Sequence, residues 1–252
     1  MSTNTDTNKY TILFAIAMVV IVGSLLAFTA SSLKPSIQEN MRMETQQNIL
    51  YAMGINENGP SDIKFIGTDK VAGEFSKYIS NQLTINADGT AEENNEAYLI
   101  DVKKEQAKVK NGGTRLLPLF VGEKEGQSFY IVPIRGKGLW DAIWGYVALD
   151  EDMVIQGAFF DHAAETPGLG ANIKQRYFMD DFVGEKLLSE SGAFKGITVA
   201  KGNNDPKNLT KDDYEVDALA GATITGDGVS AMIKKDLKLY LPYFKNLKNQ
   251  LN

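Results

Sequence analysis

Two short stretches of this 252-residue chain hold residue types that could do chemistry, and both are rich in glycine. The first is Asp161-His162-Ala163-Ala164-Glu165-Thr166-Pro167-Gly168-Leu169-Gly170-Ala171-Asn172, which follows a β-rich run. Gly168 and Gly170 let the backbone approach a ligand closely, and loops leaving a sheet are where ligands sit. The stretch is not a dinucleotide fingerprint, because Ile173 stands where that motif has its third glycine. On pattern alone a tight turn at Pro167-Gly168, with His162 as an ordinary hydrogen-bonded residue, is the stronger reading. The second stretch, Asp217-Ala218-Leu219-Ala220-Gly221-Ala222-Thr223-Ile224-Thr225-Gly226-Asp227-Gly228, runs into a helix. The free amides and partial positive charge of a helix N-terminus favour an anion, most naturally a phosphate. Composition alone favours a helix start capped by Thr225 or Asp227, and the two readings are compatible. No Gly-Lys-Ser/Thr follows, so a nucleotide-hydrolysing P-loop is excluded.

What the chain lacks narrows the chemistry further. It has no cysteine and one histidine, His162. That removes thiol nucleophiles, Cys-ligated zinc, iron–sulfur clusters and c-type haem attachment, and leaves no His-rich metal site. Redox chemistry here would need an organic cofactor, held by something other than sulfur or imidazole. With 26 Lys+Arg against 32 Asp+Glu, a net charge of −6 and a pI near 5.0, the chain has no nucleic-acid footprint. Its 43% hydrophobic and 23% charged residues fit a folded globular protein.

The elements that position these residues follow an apolar N-terminus. After a short tail, residues 1–9, the 24 residues from Tyr10 to Leu33 contain no Asp, Glu, Lys, Arg or His. A bilayer core of about 30 Å needs roughly 20 such residues in a helix. A cleaved signal peptide has a shorter apolar stretch behind a basic region, so residues 10–33 read as a retained transmembrane anchor. Lys9 on one side and Lys34 and Arg42 on the other leave the positive-inside rule without a vote. Residues 34–252 read as a soluble domain delivered outside the cytoplasm. Within it, Ser36 to Met53 reads as a helix after Pro35, ended by Gly54. Residues 61–110 are polar and weakly patterned and read as solvated surface. Three strands joined by tight turns begin at Ser128: residues 128–134, 143–149 and 153–160. Residues 197–201 read as a further strand and 177–189 as a helix. Val229, Met232, Ile233, Leu237, Tyr240, Leu241 and Phe244 mark a long C-terminal helix. The fold class is α+β, an antiparallel sheet with packed helices behind one transmembrane helix.

Asp217-x-x-Ala220-Gly221-Ala222-Thr223 resembles the flavinylation motif, Asp-x-x-Ser/Thr-Gly-Ala-Thr, of bacterial FMN-binding domains. Glu165-Thr166-Pro167-Gly168-Leu169-Gly170 resembles a loop upstream in the same domain, which would occupy about residues 128–245. The run Pro133-Ile134-Arg135-Gly136-Lys137-Gly138-Leu139-Trp140, together with the anchor, is similar to the C subunits of the sodium-translocating NADH:quinone reductases. The resemblance covers nearly the whole chain, and the order of its motifs is more specific than any one of them. It departs from the family pattern at Ala220, where Ser or Thr is usual.

The resemblance implies FMN joined through its phosphate to the Thr223 hydroxyl by a dedicated flavin transferase. Thr225 would be the fallback acceptor. Asp217, Gly221, Ala222, Thr225, Glu165, Thr166, Pro167, Gly168, Leu169 and Gly170 would be the other cofactor-site residues. The loop at Pro167–Gly170 would form a platform for the ring, with Trp140 and Trp144 more naturally read as packing residues. No metal and no catalytic acid or base is implied, since the flavin does the redox chemistry. The family further implies an electron-carrying member of an inner-membrane complex, with no independent substrate turnover. Electrons would pass from an NADH-oxidising subunit towards another flavin subunit and quinone. Two other readings are open on sequence: the G subunit of the Rnf ferredoxin-linked complex, and an anchored extracytoplasmic binding or scaffold protein without cofactor.

Overall fold

A computed structural model describes residues 7–59, 62–203 and 205–251, which fall into two compact units, Met1–Arg42 and Met43–Asn252. The first unit holds most of helix α1, Asn8–Ala52. Its large apolar residues from Ile12 to Leu33 are exposed. Among the described residues α1 is the helix long and apolar enough to cross a membrane. The break expected at Pro35 does not occur, and α1 runs through it. A proline interior to a helix removes one N–H and crowds the carbonyl four residues back, which kinks a helix more readily than it ends one where both flanks favour helix.

In the second unit, the last turns of α1 are followed by α2 (Val71–Tyr78), β1 (Ile79–Ile85), β2 (Ala91–Glu93) and α3 (Val102–Lys110). Residues 61–110 are therefore not featureless surface: they supply two helices and two strands. Then come β3 (Leu117–Lys124), β4 (Gln127–Lys137), β5 (Ala142–Leu149) and β6 (Ile155–His162). Together these strands form one antiparallel sheet in the order β2-β1-β3-β4-β5-β6. α4 (Arg176–Asp180) follows, then a two-stranded parallel pair, β7 (Thr198–Val199) and β8 (Glu215–Val216). α5 (Thr223–Asp236), a 3-10 turn and α6 (Leu241–Leu251) complete the chain.

The sheet is covered on both faces. On one, Ala52 lies so close to Gly157 that a Cβ there would stand 2.2 Å from its carbonyl oxygen, and Tyr51 packs edge-on to Phe159. On the other, Gly136 of β4 and Gly228 of α5 allow helix and strand to touch backbone to backbone: a Cβ at Gly228 would sit 2.4 Å from the Lys137 carbonyl oxygen. Phe244 stacks edge-on to Tyr130, and the buried Tyr240 hydroxyl donates to the Pro118 carbonyl at 2.8 Å. This contact ties the 3-10 turn after α5 to β3.

The helix expected over residues 177–189 shrinks to the five residues of α4. Gly184 adopts φ +87°, and the chain turns to pair with the start of β6: Gly184 N–H donates to Ile155 and Ile155 N–H to Glu185. The turn leaves Glu185 fully buried, with Lys211 Nζ at 3.4 Å. Burial pushes the Glu185 carboxyl up to about 7 from 4.5, partly offset by the Lys211 ammonium. The folded state then holds this proton where the unfolded chain has lost it, so stability falls as pH rises through that window. In urea unfolding at about pH 5 and about pH 8, Glu185→Gln should flatten that fall relative to the parent. An unchanged slope would remove Glu185 as its source.

Candidate functional site

Three segments of the second unit converge at one end of the sheet. The β4–β5 turn, Gly138 to Asp141, is closed by the Gly138 N–H donating to the Asp141 carbonyl at 2.8 Å. It presents Leu139 and Trp140 outward, Trp140 being 66% exposed. The loop leaving β6 turns at Pro167-Gly168, with Gly168 at φ +77° and the amides of Leu169 and Ala171 both donating to the Thr166 carbonyl. Glu165 N–H donates to His162 Nδ1 at 3.2 Å, so His162 serves this loop as a hydrogen-bond acceptor. The third segment enters α5 through Gly221, at φ +68°, and Ala222.

Glu165 joins the three. It is 4% exposed, accepts from the Trp140 main-chain N–H at 3.0 Å through Oε1, and accepts from the Thr225 hydroxyl at 2.6 Å through Oε2. The Trp140 indole donates to the Thr166 hydroxyl at 3.2 Å, which holds the exposed ring in place. Leu169 closes the other side: a Cβ on Gly221 would lie 2.8 Å from its Cδ2. The left-handed backbone angle is what favours glycine there, since the end of the exposed Leu169 side chain can move aside.

The start of α5 is open. Ala222 occupies the N-cap position and supplies no side-chain cap, and the first turn has no acidic residue. Thr225 does not cap the helix as composition suggests, because its hydroxyl donates to Glu165; Asp227 makes no capping bond either. The amides of Thr223, Ile224 and Thr225 find no acceptor among the described residues. The Thr223 side chain is exposed, and its hydroxyl makes no hydrogen bond among them. Three free amides and a helix dipole beside an exposed hydroxyl suit an esterified phosphate. The three segments also carry Leu139, Trp140, Leu169 and Ile224, all exposed and apolar, side chains suited to contact with a flat aromatic ring.

The site residues read from the sequence thus divide. Thr166, Pro167, Gly168, Leu169, Gly170, Gly221, Ala222 and Thr223 come together around the open helix end, while Glu165 and Thr225 face inward and bind each other. Asp217 lines a small cavity with Asp205, Asn208, Asp213 and Glu215, and among the described residues it makes no hydrogen bond to the converging segments. Trp140 is not a packing residue but part of the exposed rim. Ile224 carries no signal of a site in the sequence, where it is one apolar residue between two threonines at a helix start.

The FMN-binding domain family matches residues 138–238, which span all three segments. Among curated proteins, the C subunit of the Na(+)-translocating NADH-quinone reductase of Vibrio anguillarum is 27% identical over 244 residues, covering 91% of this chain and 90% of the relative. The same protein of Pseudomonas aeruginosa is 28% identical over 242 residues, covering 91% of each. Among solved structures, the C subunit of the Parabacteroides distasonis reductase superposes with a TM-score of 0.71 at 30% identity, covering 84% of this chain and 96% of that one. NqrC of Shewanella oneidensis superposes with a TM-score of 0.61 at 25% identity, covering 84% and 98%.

Proposed function

From a chain that belongs to the C-subunit family of the Na(+)-translocating NADH-quinone reductases, we propose that Thr223 carries FMN as a phosphoester and that the protein relays electrons within that complex. The observation that carries the site is the uncapped start of α5, with the Thr223 hydroxyl, unbonded among the described residues, at its first position. FMN supplies reversible uptake of electrons; the protein supplies attachment, orientation and electrostatics. The amides of Thr223, Ile224 and Thr225 would hold the phosphate oxygens, where the helix dipole favours the remaining negative charge. Leu169, Trp140, Leu139 and Ile224 would hold the ring by apolar contact and exclude water from one side of it.

The rim is open to solvent, which suits a protein that exchanges electrons with other proteins rather than with a small buried substrate. Covalent attachment keeps the cofactor from being lost where free FMN is not supplied. The apolar stretch of α1 would anchor the chain once in the inner membrane, its soluble part on the periplasmic side, at high effective concentration beside its partner subunits. Electrons would arrive from the NADH-oxidising side and leave towards another flavin subunit and quinone, with a flavin transferase acting once during maturation.

The test is co-expression with a flavin transferase, followed by denaturing electrophoresis. The expected result is flavin fluorescence that stays with the band. A dark band from folded protein would overturn covalent attachment.

A further inference from the structure

The Glu165 carboxylate is buried, yet it makes no ion pair among the described residues, and its two hydrogen-bond donors are neutral. A buried carboxylate without a cation is costly unless hydrogen bonds and dipoles compensate it. Here the Trp140 N–H and the Thr225 hydroxyl do so, and Thr225 lies in the first turn of α5, where the helix dipole favours an anion. The surroundings are built to this side chain. A Cβ on Gly138 would stand 2.5 Å from Oε1, and one on Gly170 would stand 2.3 Å from Oε2 and 2.5 Å from the Thr225 hydroxyl.

We infer that Glu165 is a positioning residue that fastens the Thr223 end of α5 to the Pro167–Gly170 loop and the Trp140 turn. Its hydrogen bonds fix where the Thr223 hydroxyl and the open amides stand relative to the apolar rim. It also occupies the Thr225 hydroxyl, so that of the two threonines on this turn only Thr223 presents a free one. Its negative charge adds a second consequence, which rests on the placement of FMN proposed above. A carboxylate beside the site makes the arrival of an electron less favourable and holds the reduction potential down.

The test uses the full chain, with and without flavin. Without flavin, the Gly226 amide, which donates to the Ala222 carbonyl in the first turn of α5, reports on the fastening by hydrogen exchange. Thr225→Val should speed that exchange by about tenfold or more, and Thr225→Ser should restore it. With flavin attached, Glu165→Gln keeps the side-chain shape but not the charge, so the band should stay fluorescent and the potential should shift upward. Glu165→Ala should in addition weaken the visible circular dichroism of the bound flavin. If Glu165→Ala does not fold, the Thr225 pair and Glu165→Gln carry the test. Unchanged exchange in Thr225→Val would overturn the fastening, and an unchanged potential in a bright Glu165→Gln would overturn the charge effect. A dark parent protein would instead overturn the flavin assignment, leaving the exchange result to stand or fall by itself.

Discussion

Thr223→Ala, co-expressed with the flavin transferase, is expected to give a dark band on a denaturing gel, while Thr225→Ala stays fluorescent. The two threonines are separated by one residue, yet the fold treats them oppositely. Thr223 is the first helical residue, exposed and without a hydrogen bond among the described residues; Thr225 is 1% exposed and donates to Glu165. A transferase must reach an acceptor oxygen that is free to attack, and only Thr223 offers one. The loss should be complete rather than partial, because no second hydroxyl on this turn is accessible. It should also leave folding intact, since surface changes that break no contact usually shift stability by less than about 0.5 kcal/mol. Thr223→Ser retains the hydroxyl and should retain fluorescence. A bright Thr223→Ala would move the attachment to another residue, and a bright Thr223→Ala that darkens on adding Thr225→Ala would move it to Thr225.

The parts of this site that can be read in the sequence are the ones local chemistry dictates. Gly168, Gly170 and Gly221 announce tight backbone, and small residues ahead of the apolar repeat of α5 announce a helix start. The β4, β5 and β6 strands are legible for the same reason: aromatic and β-branched runs between Gly and Asp turns. What is not legible depends on contacts remote in sequence. Glu165 meets Thr225 across 60 residues, and no local pattern marks either as the other's partner. In β1 only Ile79, Leu83 and Ile85 are large and apolar, so a strand of the sheet reads as surface. β3 is hidden by Pro118, which argues against a central strand; Pro118 lies outside the β3–β4 ladder, which begins at Phe120. The start of α3 does carry a signal: Asp101 accepts from the amides of Lys103 and Lys104 at 2.9 and 3.2 Å, an N-cap readable from its place before a run of helix formers.

Asp236→Ala should be the most destabilising single change in the second unit outside its apolar core, and its effect follows from how α5 is held at both ends. At the first turn Glu165 grips Thr225; in the middle Gly136 and Gly228 bring helix and strand together; at the last residue sits Asp236. Its carboxylate is fully buried and accepts from Arg115 Nη1 at 2.8 Å, the Arg135 main-chain N–H at 2.9 Å and Gln106 Nε2 at 3.1 Å. It thereby ties α5 to α3, to β4 and to the segment before β3. Truncation strands the Arg115 guanidinium, whose Nε and Nη2 already lack partners among the described residues, as an unpaired buried charge. Removing one partner of such a pair costs about 3–5 kcal/mol, whereas replacing both with apolar residues of similar volume is often close to neutral. Urea unfolding should therefore show Asp236→Ala losing about that much, and Arg115→Met/Asp236→Leu recovering most of it. The recovery should be incomplete, because the Arg135 amide and Gln106 keep their donors and lose their acceptor. If the double variant is as unstable as the single one, the lost hydrogen bonds to β4 and α3, rather than the stranded charge, are what the carboxylate contributes.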